Sequence, residues 1–202
     1  MFKIIAVTDR TLCTKGKGAF LQQIEKITGS GINAIILREK DLAPKEYGEL
    51  ALVLKPLCSA HNVELIAHSF MDTAQKTGLA LHLPWSLFAG LTKKQTARLI
   101  NFGVSVHSPE EAGLAIKGGA LWLIAGHIYP VKSKGELQAR GTEFLSCICR
   151  MSPVPVYGIG GINNGNIREI AASGAGGACL MSSIMLSQDP HNLVKDLLEK
   201  IK

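Results

Sequence analysis

The stretch Pro153–Ser183, PVPVYGIGGINNGNIREIAASGAGGACLMSS, decides the fold. Two short apolar runs inside it, Val154–Ile159 and Ala178–Met181, each have the length and composition of a buried strand. Gly160-Gly161 follows the first run at once. A helical pattern opens around Asn163–Asn166 and closes at Gly174. Backbone N–H groups left bare by glycine, beside a helix N-terminus, make an anion site. Ser182 and Ser183 follow the second run and add hydroxyl donors. Glycines of this kind also make plain tight turns. Two successive strand-to-helix turns, both shaped for phosphate, are what the last two strands of a (β/α)8 barrel offer.

Working outward, six more apolar runs precede these two: Lys3–Thr8, Asn33–Leu37, Val63–Ala67, Leu79–Leu83, Val104–His107 and Leu121–Ala125. Helical patterns separate them, among them Phe20–Thr28, Pro44 to about Ala60, Asp72–Lys76 and Thr92–Leu99. Ser108-Pro109-Glu110-Glu111 is a helix start, with a serine cap, proline in the first turn and acids at the positive end of the dipole. A long loop, Gly126–Gly141, precedes a helix to about Met151, and Asp189–Lys202 closes the chain. Regular alternation without a linker-like break predicts a single (β/α)8 TIM barrel, α/β in class, over residues 1–202. A doubly wound open sheet is the competitor.

Bulk properties bound the function. The chain has 202 residues and is 47% apolar, with a mean hydropathy of +0.20, which supports a full core. Its longest apolar region, Leu79–Leu91, is interrupted by His82, Pro84 and Ser86 and is too short for a bilayer. The opening MFKIIAVTDR has no signal-peptide pattern, so a cytoplasmic location is expected. Five scattered cysteines imply neither a disulfide framework nor a zinc site. The formal charge of +6 suits an anionic substrate. Dispersed cations and few aromatics argue against nucleic acid.

In a barrel the site lies at the C-terminal ends of the strands. His127 follows strand six; an imidazole there is placed to move a proton near neutral pH, or to pack at the rim. Arg38 and Lys40 flank Glu39 after strand two and can bind an acidic group, or form a solvated ion-pair cluster. Lys134, beside Ser133, can clamp a phosphate when the long loop closes, or stand exposed. His68, His82 and His107 each end a strand, but no ligand spacing links them, so no metal site is expected.

In sum the chain resembles the thiamine phosphate synthase and TenI superfamily. The carriers are Ala6-Val7-Thr8-Asp9, Leu37-Arg38-Glu39-Lys40, Ser105-Val106-His107-Ser108-Pro109-Glu110-Glu111-Ala112, Gly126-His127-Ile128-Tyr129 through Lys134 to Arg140-Gly141, Ile159-Gly160-Gly161-Ile162 and Met181-Ser182-Ser183-Ile184. The resemblance implies a (β/α)8 barrel and one of two activities. The synthase joins a pyrimidine methyl diphosphate to a thiazole phosphate with magnesium. The TenI branch aromatises a carboxythiazole phosphate. Against the synthase pattern, Ile36 replaces a glutamine, His68-Ser69-Phe70 replaces an Asn-Asp-Arg triplet, and His82–Leu87 lacks an expected acid. Magnesium wants carboxylate oxygens. His127 stands where the synthase has proline and the TenI branch has histidine.

These departures lead to the expectation of a thiazole tautomerase, an isomerase. His127 would carry the proton, and Gly160, Gly161, Ser182, Ser183 and Lys134 would hold the phosphate. Arg38, Lys40 and His107 would meet the carboxylate or ring. No metal or other cofactor is expected. The partner would be a small-molecule thiazole phosphate, without nucleic acid or membrane, and a homodimer is left open. The alternatives are thiamine phosphate synthase proper, with magnesium, and a non-catalytic regulatory barrel that binds thiazole or thiamine phosphates.

Overall fold

The computed structural model describes residues 1–13, 16–131 and 137–202. Eight parallel strands form a closed barrel in the order β1 to β8: Lys3–Val7, Ala34–Leu37, Glu64–His68, Ala80–Leu83, Phe102–Val106, Trp122–Gly126, Val156–Ile159 and Gly177–Leu180. The expected (β/α)8 fold is therefore the observed one, and each expected run overlaps a strand, with β5 starting two residues ahead of the expected Val104.

The helices are α1 Gly16–Thr28, α2 Pro44–Ala60, α3 Met71–Thr77, α4 Trp85–Ala89, α5 Lys93–Thr96, α6 Pro109–Lys117, α7 Gly141–Met151, α8 Ile167–Ala172, α9 Ser182–Met185 and α10 Pro190–Lys200. Of these, α4 and α9 are additional to the sequence expectation, α1 starts ahead of Phe20, and two expected helices are shorter. The helix expected over Thr92–Leu99 is trimmed to α5. The one expected from Asn163 starts only at Ile167, because Asn163 and Asn166 spend their side chains on the preceding turn. Asn166 Oδ1 accepts from the Asn163 N–H at 2.8 Å, and both side-chain amides donate to Gly161 O.

By backbone contacts the chain resolves into two compact units. The first comprises Lys3–Leu81 and Leu180–Lys200, with Lys202. Its strands pair in register as Val7↔Ile36↔Ile66 and Leu37↔Ala67. Tyr47 of α2 is fully buried; its hydroxyl donates to Leu37 O at 2.6 Å and accepts from the His68 N–H at 2.8 Å. Its ring stacks on Phe70 at 3.8 Å. One side chain thus ties α2 to the ends of β2 and β3. Gln23 of α1 donates to Ile184 O and Ser187 O, both at 3.0 Å, fixing α9 and the residues after it.

The second unit comprises His82–Cys179, with Met1–Phe2 and Ile201. Its strands pair as Gly103↔Trp122, Ala125↔Gly158 and Gly158↔Ala178. Phe88 and Phe102 stack at 6.0 Å in its core. The α6 start is the expected one: Pro109 takes the first turn, and Ser108 Oγ accepts from the Glu111 N–H at 3.1 Å. Among the described residues no helix is long and apolar enough to cross a membrane.

Candidate functional site

In the first unit the functional residues follow β1, β2 and β3. Just past β2, Glu39 is buried, with 2% of its surface exposed, while Arg38 is half-buried and Lys40 exposed. The Thr8 hydroxyl donates to Glu39 Oε1 at 2.6 Å and accepts from the Arg38 N–H at 2.9 Å. The Arg10 N–H donates to both Glu39 oxygens, at 3.2 and 3.0 Å. Burial raises the Glu39 carboxyl above the usual carboxylate range, while the Thr8 and Arg10 hydrogen bonds pull against it. Glu39 is thus the anchor that sets where Arg38 and Lys40 leave the strand. Arg10 also pairs with Asp41 at 2.6 Å, and Asp9 accepts from the Thr11 N–H at 3.1 Å to start the single 3-10 turn Arg10–Leu12.

His68 ends β3, the strand that pairs with β2. His68 is buried, and its Nδ1 bonds Ser69 Oγ at 2.8 Å. Burial, with the Arg38 and Lys40 charges beside it, lowers its pKa from 6.5 to about 4. The imidazole is therefore neutral at pH 7. Arg38 and Lys40 thus stand near a neutral histidine that the sequence left without a role. Ser182 and Ser183 are exposed at the head of α9, just past β8.

In the second unit the Gly160-Gly161 turn packs against the segment that follows β6. The Ile128 N–H donates to Ile159 O at 2.9 Å and the Tyr129 N–H to Gly160 O at 3.0 Å. Gly160 has φ 101° and Gly161 φ 70°. A Cβ on Gly160 would lie 2.4 Å from His127 Cβ, and one on Gly161 would lie 2.6 Å from Tyr129 Cβ. The glycines are required by this close approach, besides any anion they meet. His127 Nε2 donates to Leu137 O at 3.2 Å, since a carbonyl can only accept. The chain returning at residues 137–141 is held by Arg140 N–H to His127 O and Gly141 N–H to Ile128 O, both 3.0 Å. Lys134 and Ser133 lie outside the described residues.

His107 keeps to itself on the α6 start: its N–H and its Nδ1 both meet Glu111 Oε2, at 2.6 and 3.0 Å. A third group was not legible as a unit in the sequence. His82 is 1% exposed; Trp122 Nε1–H donates to its Nδ1 at 3.2 Å, and its Nε2 lies 2.8 Å from Ser105 Oγ. The Trp122 ring occupies space that a side chain at Gly103 would need, a Cβ there lying 2.1 Å from it. The signal was the Gly103↔Trp122 pairing, which only the strand register reveals.

The segments after β3 and β4, as described, do not fit magnesium, which the family resemblance attaches to the synthase. Among the described residues no group of three His, Cys, Asp or Glu side chains is arranged to hold a metal ion. The end of β3 carries His68-Ser69-Phe70, and Pro84-Trp85-Ser86-Leu87 follows β4. A hard cation needs oxygen donors with charge, and these segments offer hydroxyls, rings and alkyl groups.

Comparison with known proteins bears on the reaction. The family model described as thiamine monophosphate synthase matches residues 4–184. The thiamine-phosphate synthase of Coprothermobacter proteolyticus is 32% identical over 202 residues, covering 98% of this chain and 94% of that one. The thiamine-phosphate synthase of Clostridium acetobutylicum is 31% identical, covering 98% and 96%. Thiamine phosphate pyrophosphorylase from Pyrococcus furiosus superposes with a TM-score of 0.82 at 27% identity, covering 99% and 95%. A 3-hexulose-6-phosphate synthase, at 18% identity and a TM-score of 0.70, shares the fold. These findings overturn the tautomerase, and with it the isomerase, expected from the sequence. Relatives spanning nearly the whole chain carry the name of the transferase, not of the isomerase. By its matched length and by these relatives, the chain belongs to the thiamine monophosphate synthase family.

Proposed function

We propose that the chain is a thiamine-phosphate synthase, a transferase joining a pyrimidine methyl diphosphate to a thiazole phosphate. The observation that carries this reading is full-length identity of about 30% to thiamine-phosphate synthases. The geometry of each unit supports it. Arg38 and Lys40, anchored through Glu39 and Thr8, present two cations of the kind that grip a diphosphate. The Gly160-Gly161 turn presents backbone beside the α8 start, suited to the thiazole phosphate. In the reaction the methylene C–O bond breaks and its electron pair leaves with pyrophosphate. The thiazole ring nitrogen then supplies the pair for the new C–N bond. No proton carrier is required, so in this reading His127 serves by bonding Leu137 and packing on Gly160.

The test is incubation of the purified chain with both substrates, read as thiamine phosphate formed. Turnover is the expected result. Tight binding of both phosphates without product would instead identify a sensor and end the synthase reading.

A further inference from the structure

Resting on the synthase reading, we infer that this chain holds and releases the pyrimidine substrate's diphosphate without a protein-bound divalent cation, on the Arg38–Lys40 pair after β2.

The argument starts from the donors around that strand end. The carboxylates of Asp9, Glu39 and Asp41 are already engaged. Glu39 is buried and bonded to Thr8 and Arg10. Asp9 caps the 3-10 turn, and Asp41 pairs with Arg10. His68 ends the neighbouring strand β3, and its Nδ1 is taken by Ser69 Oγ at 2.8 Å. Next to it, Ser69 brings a hydroxyl where the resemblance places an aspartate. A neutral imidazole and a hydroxyl do not hold a hard cation, which in proteins relies on carboxylate oxygens.

What the strand ends supply instead is positive charge. Both cations are near enough to His68 to disfavour its protonation. Arg38 offers a planar fork that meets two phosphate oxygens at once, and Lys40 offers a mobile point charge. Those two charges do for the departing pyrophosphate what a metal otherwise does: they stabilise the electron pair that leaves with the oxygen. The step needs no redox partner, because one C–O bond breaks and one C–N bond forms with electron pairs already present.

The experiment is calorimetric titration of the full chain with inorganic pyrophosphate, once in EDTA and once in excess magnesium. The expected affinities agree to within about twofold, and Arg38→Gln weakens both by about tenfold or more. Pyrophosphate that binds only with magnesium, or about tenfold tighter with it, overturns the inference. A second variant guards against a misfolded Arg38→Gln. Ser69 has φ 69°, a conformation aspartate tolerates, so Ser69→Asp adds a carboxylate at little backbone cost. Magnesium is expected to tighten pyrophosphate on Ser69→Asp while leaving the parent unchanged; an equal magnesium response in both overturns the inference. Thiamine phosphate assays in the same two buffers separate the two readings. Product formed only with magnesium overturns the inference and leaves the synthase. Pyrophosphate bound in EDTA, with no product in either buffer, overturns the synthase and leaves a cationic diphosphate site.

Discussion

The Thr8 hydroxyl and the buried Glu39 carboxylate meet at 2.6 Å, and this bond joins the end of β1 to the end of β2. The same hydroxyl accepts from the Arg38 N–H at 2.9 Å, so it is satisfied on both sides. Thr8→Val keeps the shape and removes the donor. Glu39 then loses a partner that offsets its desolvation. The expected cost is about 1–3 kcal/mol, read as a lower urea midpoint at unchanged slope. Pyrophosphate affinity should fall with it, because Arg38 loses its fixed exit from the strand. An unchanged midpoint would show that Glu39 does not depend on this hydroxyl.

Gly160 tests what the turn is for. Gly160→Ala introduces a Cβ 2.4 Å from His127 Cβ at a φ of 101°. Gly31→Ala is the comparison: its φ is 86° but nothing lies within 4 Å of the added atom. Backbone strain of about 1 kcal/mol is common to both. Overlap with His127 belongs to Gly160 only, so its variant is expected to lose about 2 kcal/mol more in unfolding experiments. Equal losses would mean that the segment after β6 yields to the methyl group.

The strands were legible because each is a short, β-rich apolar run between turn residues, as Ala34–Leu37 and Glu64–His68 show. The late start of α8 was less so, since Asn163 and Asn166 suit either a helix cap or a self-bonded turn, and the fold selects the turn. The Arg38-Glu39-Lys40 run reads as a solvated cluster in sequence, and only the neighbouring β1 end, through Thr8 and Arg10, buries and bonds its middle residue. The Tyr47 bridge and the Trp122–His82 pair depend on register and helix placement across the fold, which local pattern does not contain. The tautomerase expected from Ile36, His68-Ser69-Phe70, His82–Leu87 and His127 fails for a different reason. Replaced ligands describe what a strand end lacks; they do not by themselves name another reaction.

His68 makes stability depend on pH. Its folded pKa of about 4 lies below the ordinary 6.5, so the folded state resists a proton that the unfolded chain accepts. Stability from this group is fully present above pH 6.5 and is lost as pH falls from 6.5 to about 4. The displacement corresponds to about 3 kcal/mol. His68→Gln removes the titration. The parent is expected to lose about 3 kcal/mol more than the variant across that interval, measured by urea unfolding at each pH. Parallel curves would place another group behind the acid sensitivity.

Trp122 sets the tautomer of His82. An indole N–H only donates, so His82 Nδ1, 3.2 Å away, must be the bare nitrogen and Nε2 must carry the hydrogen. Nε2 therefore donates to Ser105 Oγ at 2.8 Å, and the Ser105 hydrogen is directed elsewhere. Trp122→Phe keeps a ring beside Gly103 and removes the donor. Nitrogen-15 spectra of His82 are expected to show the Nε2–H form in the parent and a mixture in the variant. The buried acceptor left behind should cost about 1–3 kcal/mol. If the parent instead shows hydrogen on Nδ1, the indole cannot be its donor, and Ser105 is then free to donate towards His82.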